Sequence, residues 1–321
     1  MDTMKRLGLA VIGTGFWGRN QTRILSDLEN VNLACVYDLN PVTAKTVAEQ
    51  FNVEFSSNLD DVLSRKDVSA VTVCTPTTTH KEIAMKALTA GKHVLVEKPM
   101  TNTTSEAHEI LSLAKSKGLR VMPGHIERFN PAVNYLRSLV GQRRLGNVTL
   151  LLARRVGRWP ERIGDVGVVR DTAIHDVDIS RFIFNDEVCT VYARVGSLKH
   201  TREDYAEIML QFRHGGTAFI DANWLTPRKT RTLVVTGSDA TAQLDYITQE
   251  LSIEDSVNIT KPNIPRQEPL RNELSHFVTG ILNDEPFTVT GTDGLRAVEI
   301  CELVLQSART SQTTSLTETI T

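Results

Sequence analysis

Two rhythms of apolar and polar positions run along this chain, and one gives way to the other near residue 123. In the first third, short apolar runs at 7–12, 32–37, 70–74, 93–96 and 119–122 alternate with stretches of helical periodicity at 16–29, 41–51, 59–65, 79–90 and 104–117. Strands apolar on both faces, each followed by a helix, are what a parallel sheet covered on both sides requires. The polar, proline-punctuated segment Gly124-His125-Ile126-Glu127-Arg128-Phe129-Asn130-Pro131 ends that rhythm. A helix over 132–140 follows, then longer β-like runs at 147–156, 188–195, 206–212, 217–222 and 231–237, with His214-Gly215-Gly216 as a hairpin turn. Helices over 175–184 and 272–282 are expected on one face of that sheet, and an irregular connection around Pro262, Pro265 and Pro269. The fold class is therefore α/β for the first part, and α+β with a large open, mostly antiparallel sheet for the second. The expected domains are 1–123, 124–310 and a polar tail over 311–321 that is either disordered or an added edge strand. A broad sheet face left uncovered calls for a second subunit, which predicts a homodimer or homotetramer.

Within the first domain, strand 7–12 runs into Gly13-Thr14-Gly15-Phe16-Trp17-Gly18 and then a helix. That order is the dinucleotide-binding arrangement of a Rossmann, doubly wound sheet. Gly13 permits the tight turn, Gly15 lets the backbone approach a pyrophosphate, and Gly18 lets helix and strand pack closely. Asp38 ends the second strand, twenty residues beyond Gly18. A carboxylate there accepts hydrogen bonds from ribose hydroxyls and repels a 2′-phosphate, which favours NAD over NADP. Asp38 could instead cap the helix starting at Pro41. The loop Thr75-Pro76-Thr77-Thr78-Thr79-His80 follows a strand, so its threonines either bind cofactor or cap the next helix, and His80 reads as a structural neighbour of that site.

Val94-Leu95-Val96-Glu97-Lys98-Pro99 then delivers an ammonium at the carboxyl end of a parallel strand, where such folds bind ligands. A lysine there can polarise a substrate hydroxyl beside a nicotinamide. In the second domain, spacings of four and three place Asp171, His175 and Asp178 on one helical face, an arrangement that can tune an imidazole as a general base. A solvated helix face or a packed histidine would show the same spacing. Arg154, Arg155, Arg158, Arg162 and Arg170, with Arg128 nearby, suit phosphate oxygens, although solubility or subunit salt bridges explain such a cluster equally well.

Composition narrows the partners. A net charge of -2 gives no electrostatic reason to expect nucleic acid or an anionic membrane, which leaves a small molecule. Cys35, Cys74, Cys189 and Cys301 form no close pair, so they read as thiols of a cytoplasmic protein, with no metal expected.

Taken with Cys74-Thr75-Pro76, Glu97-Lys98-Pro99, the Asp171, His175, Asp178 pattern and the closing stretch 290–299, the glycine motif makes the chain resemble the Gfo/Idh/MocA oxidoreductases over nearly its whole length. The resemblance implies NAD as cofactor, contacted by Gly13, Thr14, Gly15, Phe16, Trp17, Gly18, Asp38, Thr75, Pro76, Thr77, His80, Glu97 and Lys98. It implies Lys98, His175 and Asp171 as catalytic residues, with His175 the proton acceptor and Lys98 stabilising the alkoxide. Substrate contacts are expected from Lys98, Arg128, Asn130, Arg155, Arg158, Asp171 and His175, and the family often has a cis peptide before the proline of its lysine motif. Asp165-Val166-Gly167 replaces a common glycine triplet, and Ala173 a usual glycine. These departures shift the likeness to the nucleotide-sugar branch, which implies oxidation at C3 of UDP-N-acetylglucosamine. A free sugar or inositol dehydrogenase, an NAD-dependent glycosidase and a catalytically silent cofactor-sensing protein are the rival readings.

Overall fold

The structure, a computed structural model, describes residues 5–160 and 164–316. The chain divides into two compact units, Met1–His125 with Leu270–Leu295, and Ile126–Pro269 with Arg296–Thr321.

The first unit runs β1 (Leu7–Ile12), α1 (Phe16–Leu25), β2 (Val31–Tyr37), α2 (Pro41–Phe51), β3 (Glu54–Ser56), α3 (Leu59–Ser64), β4 (Ala70–Val73), α4 (Thr77–Thr89), β5 (His93–Glu97), α5 (Thr104–Lys117) and β6 (Val121–Gly124). Its strands form one parallel sheet in the order β3-β2-β1-β4-β5-β6, so the direction of winding reverses between β1 and β4. Local chemistry sets the helix ends. Asn40 accepts from Val42 N with Pro41 behind it, and Thr103 and Glu106 form a reciprocal capping box whose helix stops at left-handed Gly118. β3 is too short and too exposed to announce itself by hydrophobic pattern.

The second unit holds a short helical turn at Ile126–Phe129, then α6 (Pro131–Gly141), β7 (Val148–Arg158), α7 (Ile174–Phe184), β8 (Val188–Gly196), β9 (Tyr205–Phe212), β10 (Thr217–Asn223), β11 (Leu225–Gly237), β12 (Ala240–Asp245), β13 (Glu250–Asp255) and β14 (Ile259–Thr260). Two more helices follow, α8 (Pro269–Leu282) and α9 (Gly291–Thr310), and then β15 (Thr314–Ser315). Nine strands make a mixed sheet in the order β14-β13-β12-β11-β7-β10-β9-β8-β15, in which only β7 and β10 pair in parallel. The tail therefore adds an edge strand, with Thr314 opposite Val191, while 317–321 lie outside the described residues.

Two expectations need correction. The second segment is not continuous over 124–310, because Leu270–Leu295 returns to the first unit and the division falls inside α9. α8, expected with the nine-stranded sheet, is therefore part of the first unit. It belongs with the first core, where Arg120 donates to Gly280 O at 2.5 Å and lies 4.0 Å over the Phe287 ring. A Cβ on Gly294 would sit 2.4 Å from Pro123 Cγ, so that turn must be glycine to close on β6. α7, in contrast, is buried along Ile174–Ile183 and sits at the centre of the second core.

The other face of the nine-stranded sheet is exposed in a regular way. Register aligns Val234, Leu152, Phe219, Met209 and Tyr192 in one row across five strands, and Thr232, Arg154, Asp221, Glu207 and Arg194 in a row two residues away. Leu152, Phe219 and Tyr192 are each about 40% exposed.

Candidate active site

At the carboxyl edge of the parallel sheet, the turn after β1 is built as its three glycines demand. Gly13 has φ +92°, and a Cβ there would press on Cys74 and Thr75. A Cβ on Gly18 would fall 1.7 Å from Gly13 O, so α1 can pack on the strand only with glycine. A Cβ on Gly15 would meet nothing within 4 Å. Gly15 also begins α1 without a side-chain cap, so this helix N-terminus presents amides and an open approach, which fits a pyrophosphate. Phe16 is 61% exposed and packs edge-on to Trp17 at 5.5 Å.

Asp38 follows β2 and accepts from Thr14 N (2.8 Å), Thr14 Oγ1 (2.9 Å) and Asn40 N (3.0 Å). Because Asn40 caps α2, Asp38 is not the helix cap. It is a carboxylate oriented by the glycine turn itself.

After β4, Pro76 occupies the N-cap position of α4, so neither Thr78 nor Thr79 caps that helix. Thr79 Oγ1 instead donates within the loop, and Thr77 is buried. His80 is 1% exposed and its ring nitrogens lie 2.9 Å from Pro99 O and 2.8 Å from Thr75 O. It thus ties the loop after β4 to the loop after β5.

Glu97, 8% exposed, accepts from Gln21 Nε2 at 2.8 Å, linking the end of β5 to α1. Gln21, fully buried on α1, carries no signal in the sequence that would set it apart from an exposed helical glutamine. Lys98 follows at the carboxyl end of β5, half-buried, and its peptide bond to Pro99 is cis. Burial, with Glu97 and Glu273 nearby, raises the Cys74 thiol well above its ordinary value.

In the second unit, Val169–Ala173 form a widened π turn that leads into α7. Such turns insert one extra residue per turn and cluster at functional positions. Asp171 lies in it and His175 in the next turn, each 9% exposed.

The anion-binding expectations for Arg128 and Arg155 are corrected here. Arg155, 2% exposed, forks onto Asp176 (Nε 2.7 Å, Nη2 3.1 Å), donates to Glu127 at 2.7 Å and lies 4.7 Å over the Tyr246 ring. Arg128 forks onto Asp178 at 2.8 and 2.6 Å. Asp178, expected beside His175, holds the Arg128 guanidinium. Asn130 caps α6 through Ala132 N and donates to Tyr246 O, so it too is structural. The arginines fail to converge because successive residues of a strand point to opposite faces. Arg154 pairs outward with Asp221 at 3.0 Å, Arg155 points inward, and exposed Arg158 donates to Pro227 O. Arg162 lies outside the described residues. Glu127 and Asp176, the partners of Arg155, were missed because nothing local in sequence marks an ion pair 28 or 21 residues long.

No group of three His, Cys, Asp or Glu able to hold a metal, and no helix long and apolar enough to cross a membrane, occurs among the described residues.

Residues 7–125 match the model of an oxidoreductase family with an NAD-binding Rossmann fold, and 133–243 match the GFO/IDH/MocA C-terminal domain. UDP-N-acetylglucosamine 3-dehydrogenase of Acidithiobacillus ferrooxidans is 29% identical over 305 residues, covering 92% of this chain and 95% of its own. Inositol 2-dehydrogenase of Rhizobium meliloti is 26% identical over 322 residues, 94% of this chain and 96% of its own. A solved structure of the Acidithiobacillus enzyme aligns with TM-score 0.89 at 28% identity, covering 96% of this chain and 99% of that one.

Proposed function

We propose that this chain, which belongs to the Gfo/Idh/MocA family of oxidoreductases and has their NAD-binding Rossmann fold, oxidises a secondary hydroxyl of a sugar. The observation that carries the reading is Lys98, at the carboxyl edge of the same parallel sheet whose first turn forms the glycine cradle. NAD, when bound, supplies the hydride acceptor. His175 takes the hydroxyl proton, the Lys98 ammonium stabilises the developing alkoxide, and Asp171 assists from the π turn before α7. The reading requires all three to act on one carbinol. Asp38 selects NAD over NADP by its charge.

The finer substrate reading is C3 of UDP-N-acetylglucosamine, giving a 3-keto nucleotide sugar, and the 29% identical relative of that name supports it. With Arg128 and Arg155 paired to carboxylates, diphosphate contacts fall to Arg158 and to Arg170, whose Nε is buried without a hydrogen-bond partner among the described residues. We read the exposed rows of the nine-stranded sheet as the surface that meets a second copy, since an apolar row beside a row of mixed charge is self-complementary. The four free cysteines suit a cytoplasmic setting.

Incubating the purified protein with NAD and UDP-N-acetylglucosamine tests this. NADH and a ketosugar in equal amounts are expected. NADH from myo-inositol alone would overturn the nucleotide-sugar assignment, and none from any sugar would overturn the dehydrogenase.

A further inference from the structure

We propose that Trp224 is a positioning residue for the reaction: its indole N–H fixes the Thr172 hydroxyl as a donor to the Asp171 carboxylate. This rests on the role given to Asp171 above. Trp224 Nε1 lies 2.9 Å from Thr172 Oγ1, which lies 3.2 Å from Asp171 Oδ2. An indole nitrogen only donates, and a hydroxyl carries one proton. The Thr172 oxygen therefore accepts from Trp224 and its single proton points to Asp171.

The indole is held so that it cannot turn away. Trp224 is 5% exposed, stands edge-on to Trp159 at 4.7 Å, and Trp159 stacks on His200 at 3.7 Å. Its backbone N–H donates to Asp204 O at 2.9 Å. The fully buried Asp204 carboxylate accepts the backbone amides of Leu198, Lys199 and His200, anchoring the loop that carries the stacked imidazole. A directed hydroxyl favours the ionised form of the carboxylate it faces and limits its rotation. In partly buried surroundings the contact is stronger than it would be in water.

The test uses the full chain labelled with [13Cγ]aspartate, the Asp171→Asn variant identifying the Asp171 resonance. Trp224→Phe, which keeps the ring and removes the N–H, and Thr172→Val are each expected to move the carboxyl titration up by about half a pH unit or more. Thr172→Ser should restore the wild-type midpoint, and the double variant should shift no further than Thr172→Val alone. With NAD and UDP-N-acetylglucosamine, kcat should fall about tenfold in both variants, the size of one hydrogen bond to a charged group, with KM for NAD unchanged. An unaltered titration in either variant overturns the relay, and if Trp224→Phe fails to fold an unaltered Thr172→Val overturns it alone. Full activity in Asp171→Asn overturns the catalytic reading beneath it, an outcome separate from the titration.

Discussion

The two units hold their functional groups by different means. In the first, backbone does the positioning: a positive-φ glycine, an uncapped helix N-terminus and a carboxylate oriented by the adjoining amide. In the second, the helix bearing His175 is fixed by buried ions, with Asp176 and Asp178 each clasping an arginine. Backbone devices keep a surface open for a ligand, whereas buried ion pairs immobilise a helix from within and leave their charges unavailable. The arginines that look most suited to phosphate are for that reason the least accessible.

The largest effect that would break this contrast lies in the second unit. Asp176→Ala leaves the Arg155 charge incompletely compensated in a dry core and should cost about 3 kcal/mol or more, read from urea unfolding. A loss below about 0.5 kcal/mol, the range of surface substitutions, would show that the network is not what fixes α7.

The glycines sharpen the first half of the comparison. Gly18→Ala drives a Cβ into Gly13 O and should destabilise by about 2 kcal/mol or more, whereas Gly15→Ala should leave stability within about 0.5 kcal/mol. NAD affinity, measured by calorimetry, should nevertheless fall about tenfold in Gly15→Ala, because the methyl fills the approach to the pyrophosphate. Stability loss without affinity loss there would reverse the roles assigned to these two residues.

A smaller effect concerns the exposed face. Phe219→Glu puts a charge into its apolar row and should shift the protein toward monomer in sedimentation. An unchanged sedimentation profile would remove that face as the subunit contact.

The smallest effect is with pH, and it should fall on the first unit. Burial and the neighbouring Arg120 hold both His93 and His276 below the ordinary histidine value of 6.5. The unfolded chain then takes up protons that the folded unit refuses, so stability is level above about pH 6.5 and declines as pH falls below it. Replacing both histidines by glutamine should flatten the fall in urea midpoint between about pH 7 and pH 5.

These contrasts also explain what could be read in advance. Gly13, Gly15, Gly18 and Asp38 sit within one strand–turn–helix–strand passage, and their demands are local, so spacing alone exposes them. The placement of Lys98 is legible for the same reason, directly after an apolar strand. Asp176 and Arg155 are partners across 21 residues, and no pattern distinguishes a buried arginine from a free one, though strand alternation does say that Arg154 and Arg155 part company. Periodicity found α8 but could not say which core its apolar face would join. The π turn at Asp171 follows from packing that no spacing rule contains.

The central claim is that Lys98 stabilises charge on a substrate oxygen while the glycine cradle holds NAD. Single-turnover NADH formation by Lys98→Ala beside the wild-type protein, with NAD affinity measured on the same samples, tests it most directly. The account predicts a fall of about a thousandfold in NADH formation with NAD affinity held within a few fold. NADH produced by Lys98→Ala at the wild-type rate would contradict it.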